Sequence, residues 1–351
     1  MRFLRTRLFG VAAVLAALLP LAACGGGDDG AAAPKDGMPA QIRIGYQLIP
    51  NGDLIVKDQK WLEQALPGTE IKWSRFDSGG DVNTAMISGA IDIGLAGSSP
   101  VTRGLSEPLN IPYQVPWIFD VIGDNEALVV RDGAATDVKG LAGKRIATPF
   151  ASTSHYSLLA ALAEAGVAES AVKILDMEPP DIQAAWQRGD IDGAYVWTPN
   201  LAELQKNGGK TLVTSRELAG RGKLTADLAV VRTEFAQQYP ATLRVWLQQQ
   251  DRAVKLVRSD KTAAAAAIGR QLNLDPQEAS RQLDQLVLLD AAEQRSPEYL
   301  GTPDAPGKLA ENLRSAAEFL KAQGQVDAVP ELSVFQKGLA TKELADAFPG
   351  Q

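Results

Sequence analysis

Two segments a hundred residues apart share one design. Ser88-Gly-Ala-Ile-Asp-Ile-Gly-Leu-Ala-Gly-Ser-Ser-Pro100 and Arg188-Gly-Asp-Ile-Asp-Gly-Ala-Tyr-Val-Trp-Thr-Pro199 each read as a helix ending at glycine, an Ile-Asp pair opening a short apolar strand, and a polar turn before a proline-initiated helix. Strands alternating with helices build layered α/β structure with mainly parallel sheets. In such sheets ligands sit beyond the carboxyl ends of the strands. Two sheets facing each other would bring both polar turns to one cleft, which is the architecture of a hinged two-lobe protein. Gly-x-Ile-Asp is also ordinary punctuation in α/β chains, so the pairing alone leaves a generic α/β reading open.

The rest of the chain fits the alternation. Strands are expected at Ile42–Tyr46, Glu70–Trp73, Ile91–Leu95, Ile111–Phe119, Glu126–Val130, Lys144–Ala147, Val172–Leu175, Gly193–Trp197, Thr211–Val213 and Asp227–Arg232. A helix is expected over Asp53–Leu66, stopped by Pro67-Gly68, and mostly helix from Thr233 onward. The chain has 351 residues, 45% hydrophobic and 22% charged, which is enough for two compact lobes.

The N-terminus reads as a targeting segment (1–23) rather than structure. Arg2, Arg5 and Arg7 precede an apolar run, Leu8 to Leu21, too short for a comfortable membrane span. Leu21-Ala-Ala-Cys24 resembles a bacterial lipobox, in which Cys24 is lipidated and becomes the first mature residue. An ordinary signal peptide with an incidental cysteine is the alternative. Cys24 is the only cysteine, so no intrachain disulfide can form. Residues 24–40, rich in Gly, Asp and Ala, read as a flexible tether. The formal charge is −7, and removal of the three leader arginines makes it more negative still. That balance argues against nucleic acid. A small anion is held by local dipoles and is not excluded.

A site for such an anion is legible at Arg145 to Gly166. Arg145–Ala147 closes an apolar strand, and Pro149 ends it. Ser152, Thr153 and Ser154 then precede a helix with Leu158, Leu159 and Leu162 on one face, stopped by Gly166. A hydroxyl-rich loop at a helix N-terminus presents free N–H groups and a partial positive charge. Gly97-Ser-Ser-Pro100 is the matching turn of the other repeat. His155 is the only histidine and lacks companions for a metal site. No Gly-rich phosphate loop and no Gly-x-Ser-x-Gly elbow is present. Trp186 reads as packing, Tyr156 and Tyr195 stay undecided, and Arg145 is expected to face solvent.

Phe76-Asp-Ser-Gly79, Gly97-Ser-Ser-Pro100, Glu126-Ala-Leu-Val-Val130, Gly143-Lys-Arg-Ile-Ala147, Ser152 to Leu162, Gln183 to Trp197 and Asp227 to Arg232 resemble the nitrate, sulfonate and taurine group of substrate-binding proteins of bacterial ATP-driven importers, and its taurine branch in particular. The resemblance runs from Gln41 to the C-terminus. The loop after Gln47 (Leu-Ile-Pro-Asn-Gly) departs from the family's polar version. The resemblance implies a type II periplasmic-binding-protein fold, with lobe one at 41–131 and 227–351, lobe two at 132–226, and a hinge near Arg131 and Asp227.

It also implies a ligand, taurine, whose permanently ionised sulfonate needs donors and whose ammonium needs an acceptor. The residues matched to those tasks are Ser98, Ser99, Thr153 and Ser154 for the sulfonate. Asp227 is the first choice and Glu126 the second for the ammonium, with Trp197 as an aromatic wall. Gln47 and His155 are further contacts. No cofactor and no metal are implied. Importer permease subunits would be the partners of a lipid-anchored monomer outside the cytoplasmic membrane. Another aliphatic sulfonate or a nitrate-like anion is the alternative ligand. An enzyme on the same fold, and a sensor or adhesion lipoprotein, are the alternative roles.

Overall fold

The computed structural model describes residues 37–350. The expected leader, the lipidation site Cys24 and residues 24–36 of the expected tether lie outside the described residues. Among the described residues no helix is long and apolar enough to cross a membrane.

Two five-stranded sheets form the frame. The first begins with β1 (Gln41–Tyr46), β2 (Glu70–Arg75), β3 (Ile93–Gly97) and β4 (Tyr113–Val121). The chain then crosses to the second sheet, made of β5 (Glu126–Arg131), β6 (Arg145–Thr148), β7 (Lys173–Asp176), β8 (Gly193–Trp197) and β9 (Gly209–Thr214). It returns with β10 (Ala226–Arg232) to complete the first. The orders are β2-β1-β3-β10-β4 and β7-β6-β8-β5-β9. In each sheet the first strands pair in parallel, and the strand arriving at a crossing, β5 or β10, inserts antiparallel in fourth place. This is the two-lobe α/β arrangement that the repeat predicts.

One boundary is corrected. Glu126–Arg131 was expected to close the first lobe, yet β5 pairs with β8 from Glu126↔Trp197 to Val130↔Gly193 and with β9 on its other side. The first crossing therefore falls between Val121 and Glu126. The second lies just before Ala226, close to the expected Asp227. An apolar run pairs equally well in either sheet, so its local sequence does not say which sheet it joins.

The two repeats are held by the same device. The Arg43 backbone N–H and Nε donate to Asp92 Oδ2, each at 2.9 Å, and its guanidinium also reaches the Gly89 carbonyl. The Arg145 backbone N–H and Nε donate to Asp192 Oδ2 at 2.8 and 3.2 Å, and its guanidinium reaches the Gly189 carbonyl. Each Ile-Asp pair thus ties the loop before a central strand to the strand beside it. Arg145, expected to face solvent, is half-exposed, but its guanidinium closes on Asp192.

Helices α1 (Gly52–Asp58) and α2 (Trp61–Ala65) replace the single helix expected over Asp53–Leu66. Lys60 adopts a left-handed conformation with φ of 52°, and this turns Trp61 and Leu62 into the core. Helices α3 (Gly79–Ile87) and α4 (Ser98–Gly104) complete the first half of that lobe. The second lobe carries α5 (Thr153–Ala165), α6 (Pro179–Arg188), α7 (Asn200–Lys206) and α8 (Ser215–Gly220). Trp186 packs as expected: its ring lies under the Arg131 guanidinium and its N–H donates to the Asn207 carbonyl at 3.2 Å. From Thr233 onward the chain is mainly helical, and Trp246 of the helix Pro240–Ser259 packs edge-on against Phe119 of β4. The helix Leu309–Ala322 reaches the second lobe, where Phe319 meets Tyr156 of α5 at 5.0 Å between ring centres.

Candidate functional site

The carboxyl ends of β3 and β8, the two repeat strands, point at one cleft between the sheets. Gln47, Ile49, Gly79, Gly97, Pro100 and Asp227 line it from the first sheet's side. Glu126, Ser152, Thr153 and Trp197 line it from the second, with Asn125 of the crossing between them. The cleft encloses about 300 Å³ not occupied by atoms, solvent at its mouth included. Five of the residues expected at the site, namely Gln47, Glu126, Thr153, Trp197 and Asp227, are therefore brought together.

The acids dominate the electrostatics. Asp227 stands on β10 opposite Gly97 on one side and Asp120 of β4 on the other. Burial pushes the Asp227 carboxyl well above the usual carboxylate range, and the neighbouring charges of Asp120 and Glu126 push it further. Asp120 is fully buried and its carboxyl is raised by that burial to about 8. The Asn51 amide opposes this shift, yet neither Asp120 oxygen completes a hydrogen bond. Glu126 is better served. Its oxygens accept from Thr153 Oγ1 at 2.6 Å and from Ser215 Oγ at 2.8 Å, although burial still raises its pKa. Among the described residues no Lys, Arg or His lines the cleft. Among the described residues no group of His, Cys, Asp or Glu could hold a metal ion.

The donors are less evenly placed. Helix α4 starts at Ser98 rather than at Pro100, with Gly97 in the capping position. Ser98 and Ser99 thus fall inside the first turn and do not line the cleft. The Ser98 hydroxyl accepts from the Ala226 N–H at 3.2 Å, while that of Ser99 is buried without a partner. Helix α5 is capped by Ser152, whose Oγ accepts from the His155 N–H, leaving the amides of Thr153 and Ser154 as unpaired first donors of a thirteen-residue helix. The Ser154 hydroxyl is also buried near Glu126 and completes no hydrogen bond. Gln47 donates to the Leu95 carbonyl at 3.0 Å, so part of its capacity holds the loop after β1 against β3.

His155 lies outside the cleft lining. Its ring stacks on Phe150 with centroids 4.4 Å apart, and Nδ1 accepts from the Ala151 N–H at 3.3 Å. Burial lowers its pKa to about 4, so the ring is neutral at physiological pH. It braces the 150–152 loop, where Ala151 takes a left-handed conformation. His155→Phe preserves the stack but removes the acceptor of the Ala151 N–H, so ligand affinity, measured by calorimetry, is expected to fall only a few-fold. A large loss would place the imidazole in direct contact with ligand.

Sequence reasoning missed Asp120, Ser215 and Gly97. Asp120 had a readable signal: it is the one acid inside the apolar run Val115 to Ile122. Gly97 had none, because its importance is a contact across the cleft. A Cβ there would meet Thr153 Cγ2 at 2.5 Å.

The raised acids predict a pH dependence. Asp53 and Glu178 are also pushed up by burial, each to about 7. Such groups hold protons in the folded protein that the unfolded chain releases near pH 4. Their stabilisation is complete below the unfolded pKa and is lost as pH rises through about 7 to 8. Thermal melts of the unliganded protein are expected to fall by several degrees between about pH 5.5 and about pH 8.5. A midpoint rising over that interval would contradict the burial of these groups.

Two α/β lobes of this strand order, with a polar cleft where the repeat strands end, define the periplasmic-binding-protein fold. The alkanesulfonate-binding protein SsuA from Xanthomonas axonopodis pv. citri, solved with MOPS bound, superposes with a TM-score of 0.70 at 22% identity, over 86% of this chain and 98% of that one. The desulfurization enzyme DSZB shares the same fold, with a TM-score of 0.63 at 16% identity over 88% of this chain and 99% of that one. In sequence, the taurine-binding periplasmic protein of Escherichia coli (strain K12) is 35% identical over 283 residues, 75% of this chain and 80% of that protein. The family model described as NMT1-like matches residues 35–270, and the chain belongs to that family.

Proposed function

We propose that the protein is an extracytoplasmic binding protein that captures taurine between its lobes and delivers it to an ATP-driven importer. The observation that carries this reading is the acid cluster. Asp227 and Glu126 line a cleft that holds no cationic side chain, and Asp120 stands behind them. Buried carboxylates without a partner are costly, so the site is complementary to a ligand that brings its own cation. The opposite requirement is met by α5, whose first amides, those of Thr153 and Ser154, offer donors to a sulfonate. Trp197 supplies an aromatic wall beside the ammonium.

The similarity to the taurine-binding relative of Escherichia coli supports the same ligand. A simple sulfonate or nitrate would place an anion against the carboxylates, which disfavours both. The fold also serves an enzyme, but the lining of this cleft holds neither histidine nor cysteine, and its two acids, Asp227 and Glu126, are taken up by the ammonium in this reading. Contacts from both lobes would favour the closed state by differential affinity, with the two crossings as the hinge. Lipidation at Cys24 would tether the protein to a membrane near the permease, and the mass of the mature N-terminus checks it.

Calorimetric titration with taurine, ethanesulfonate and nitrate tests the reading. Taurine is expected to bind, and the two ligands lacking an amine to bind much more weakly. Ethanesulfonate binding as tightly as taurine would overturn the ammonium assignment. Absence of any heat or thermal shift with taurine would overturn the ligand.

A further inference from the structure

We infer that Asp120 and Asp227 share a proton in the unliganded protein, and that the ligand's ammonium displaces it, so that capture releases a proton to solvent. The inference rests on the ammonium assignment above and extends it to how the site is kept neutral while empty.

Geometry carries it. Asp120 and Asp227 occupy facing positions on β4 and β10, at the point where the register of that pair shifts. Asp120 is wholly buried, and both of its carboxyl oxygens lack hydrogen-bond partners. The groups that act on the pair are acidic or neutral. β5 contributes a third acid, Glu126, whose charge is met by the hydroxyls of Thr153 and Ser215. The loop before α1 contributes the Asn51 amide, which stands near Asp120 with its Nδ2 unpartnered. None of these groups is a cation. Two adjacent buried carboxyls facing a third, with no positive charge beside them, cannot both be ionised without a large desolvation and repulsion cost. One proton held between them removes most of that cost, and the pair titrates as a unit. The upward shifts of both groups agree with this.

The exchange balances simply. The ligand enters with its ammonium intact and its sulfonate ionised. The carboxyl O–H of the pair loses its proton to bulk solvent, and the ammonium takes over the neutralising role. Asp120 does not line the cleft. It is a positioning residue that acts through Asp227 and sets the proton count.

Two consequences are measurable. Below the pKa of the pair, taurine affinity rises about tenfold per pH unit. Titration at pH 7 in phosphate and in Tris, buffers of very different ionisation enthalpy, gives heats whose difference corresponds to about one proton released. Asp120→Asn removes one of the causes that raise Asp227, so it is expected to release fewer protons at the same pH and to move the rise in affinity to lower pH. Taurine binding with identical heats in the two buffers would overturn the inference while leaving the ligand assignment intact. Absence of taurine binding would overturn the ligand assignment instead. The proton is then decided on the unliganded protein, by infrared spectroscopy of the protonated-carboxyl carbonyl band at pH 7. Asp53 and Glu178 contribute to that band but cancel in a wild-type minus Asp120→Asn/Asp227→Asn difference, where neither acid of the pair remains to hold the proton. A difference spectrum with no such band would overturn the shared proton directly.

Discussion

Replacing Asp227 with alanine is expected to weaken taurine binding by roughly 30-fold to several thousandfold, the range that follows from about 2–5 kcal/mol for truncating one partner of a buried charge pair. The unliganded protein should behave in the opposite sense. Asp227 is a buried acid pushed up by burial and by two acidic neighbours, and removing it relieves that strain. The variant should therefore melt at the same temperature as the parent or higher at about pH 8, where the acids are most ionised. Ethanesulfonate should lose nothing from the change. Calorimetry with both ligands and a thermal melt separate these outcomes. Taurine affinity unchanged in Asp227→Ala would remove the carboxylate from the ammonium site.

The second large effect concerns closure. Gly97 ends β3 with φ of −64° and ψ of 159°, an ordinary conformation for any residue, so alanine strains nothing within its own lobe. Its Cβ would nevertheless lie 2.5 Å from Thr153 Cγ2 on the facing lobe. Thr153 cannot simply rotate away, because its hydroxyl donates to Glu126. Overpacking of this kind costs about 1–3 kcal/mol, and a state in which the lobes part would escape it, so Gly97→Ala should weaken taurine binding roughly 5- to 150-fold. Adding Thr153→Ser removes the offending methyl and keeps the hydroxyl, and should restore most of the affinity. Failure of the second change to restore binding would place the effect of Gly97 elsewhere.

The repeat was the most legible part of the chain, and the structure gives a physical reason. Arg43 with Asp92, and Arg145 with Asp192, form the same set of hydrogen bonds in the two lobes. The Ile-Asp pair is thus a structural joint whose sequence must repeat if the joint does. β5 was assigned to the wrong sheet because Glu126–Arg131 carries an apolar pattern that says it is a strand and nothing about its neighbours. The break at Lys60 was hidden for a related reason. Its left-handed conformation is imposed by where Trp61 must pack, and no glycine marks it.

The same division runs through the site. Gln47, Thr153, Trp197 and Asp227 could be read because each sits at the end of a strand or the start of a helix on the cleft side. Ser98 and Ser99 were legible as a polar turn, but the helix begins two residues earlier than its proline suggested, which draws them under the surface. Asp120 was legible as an acid inside an apolar run but not as the neighbour of Asp227, which is 107 positions away on an adjacent strand. Such a pairing follows from sheet order, which a single sequence read along its length does not reveal.

The central claim is that one short zwitterion spans the cleft, with its cationic end at the acids and its sulfonate at the start of α5. A crystal structure of the protein grown with taurine tests it most directly. The account predicts the ligand nitrogen within hydrogen-bond reach of Asp227, beside Trp197, and sulfonate oxygens at the Thr153 and Ser154 amides. A taurine molecule bound the other way round, or held outside the cleft between the sheets, would contradict it.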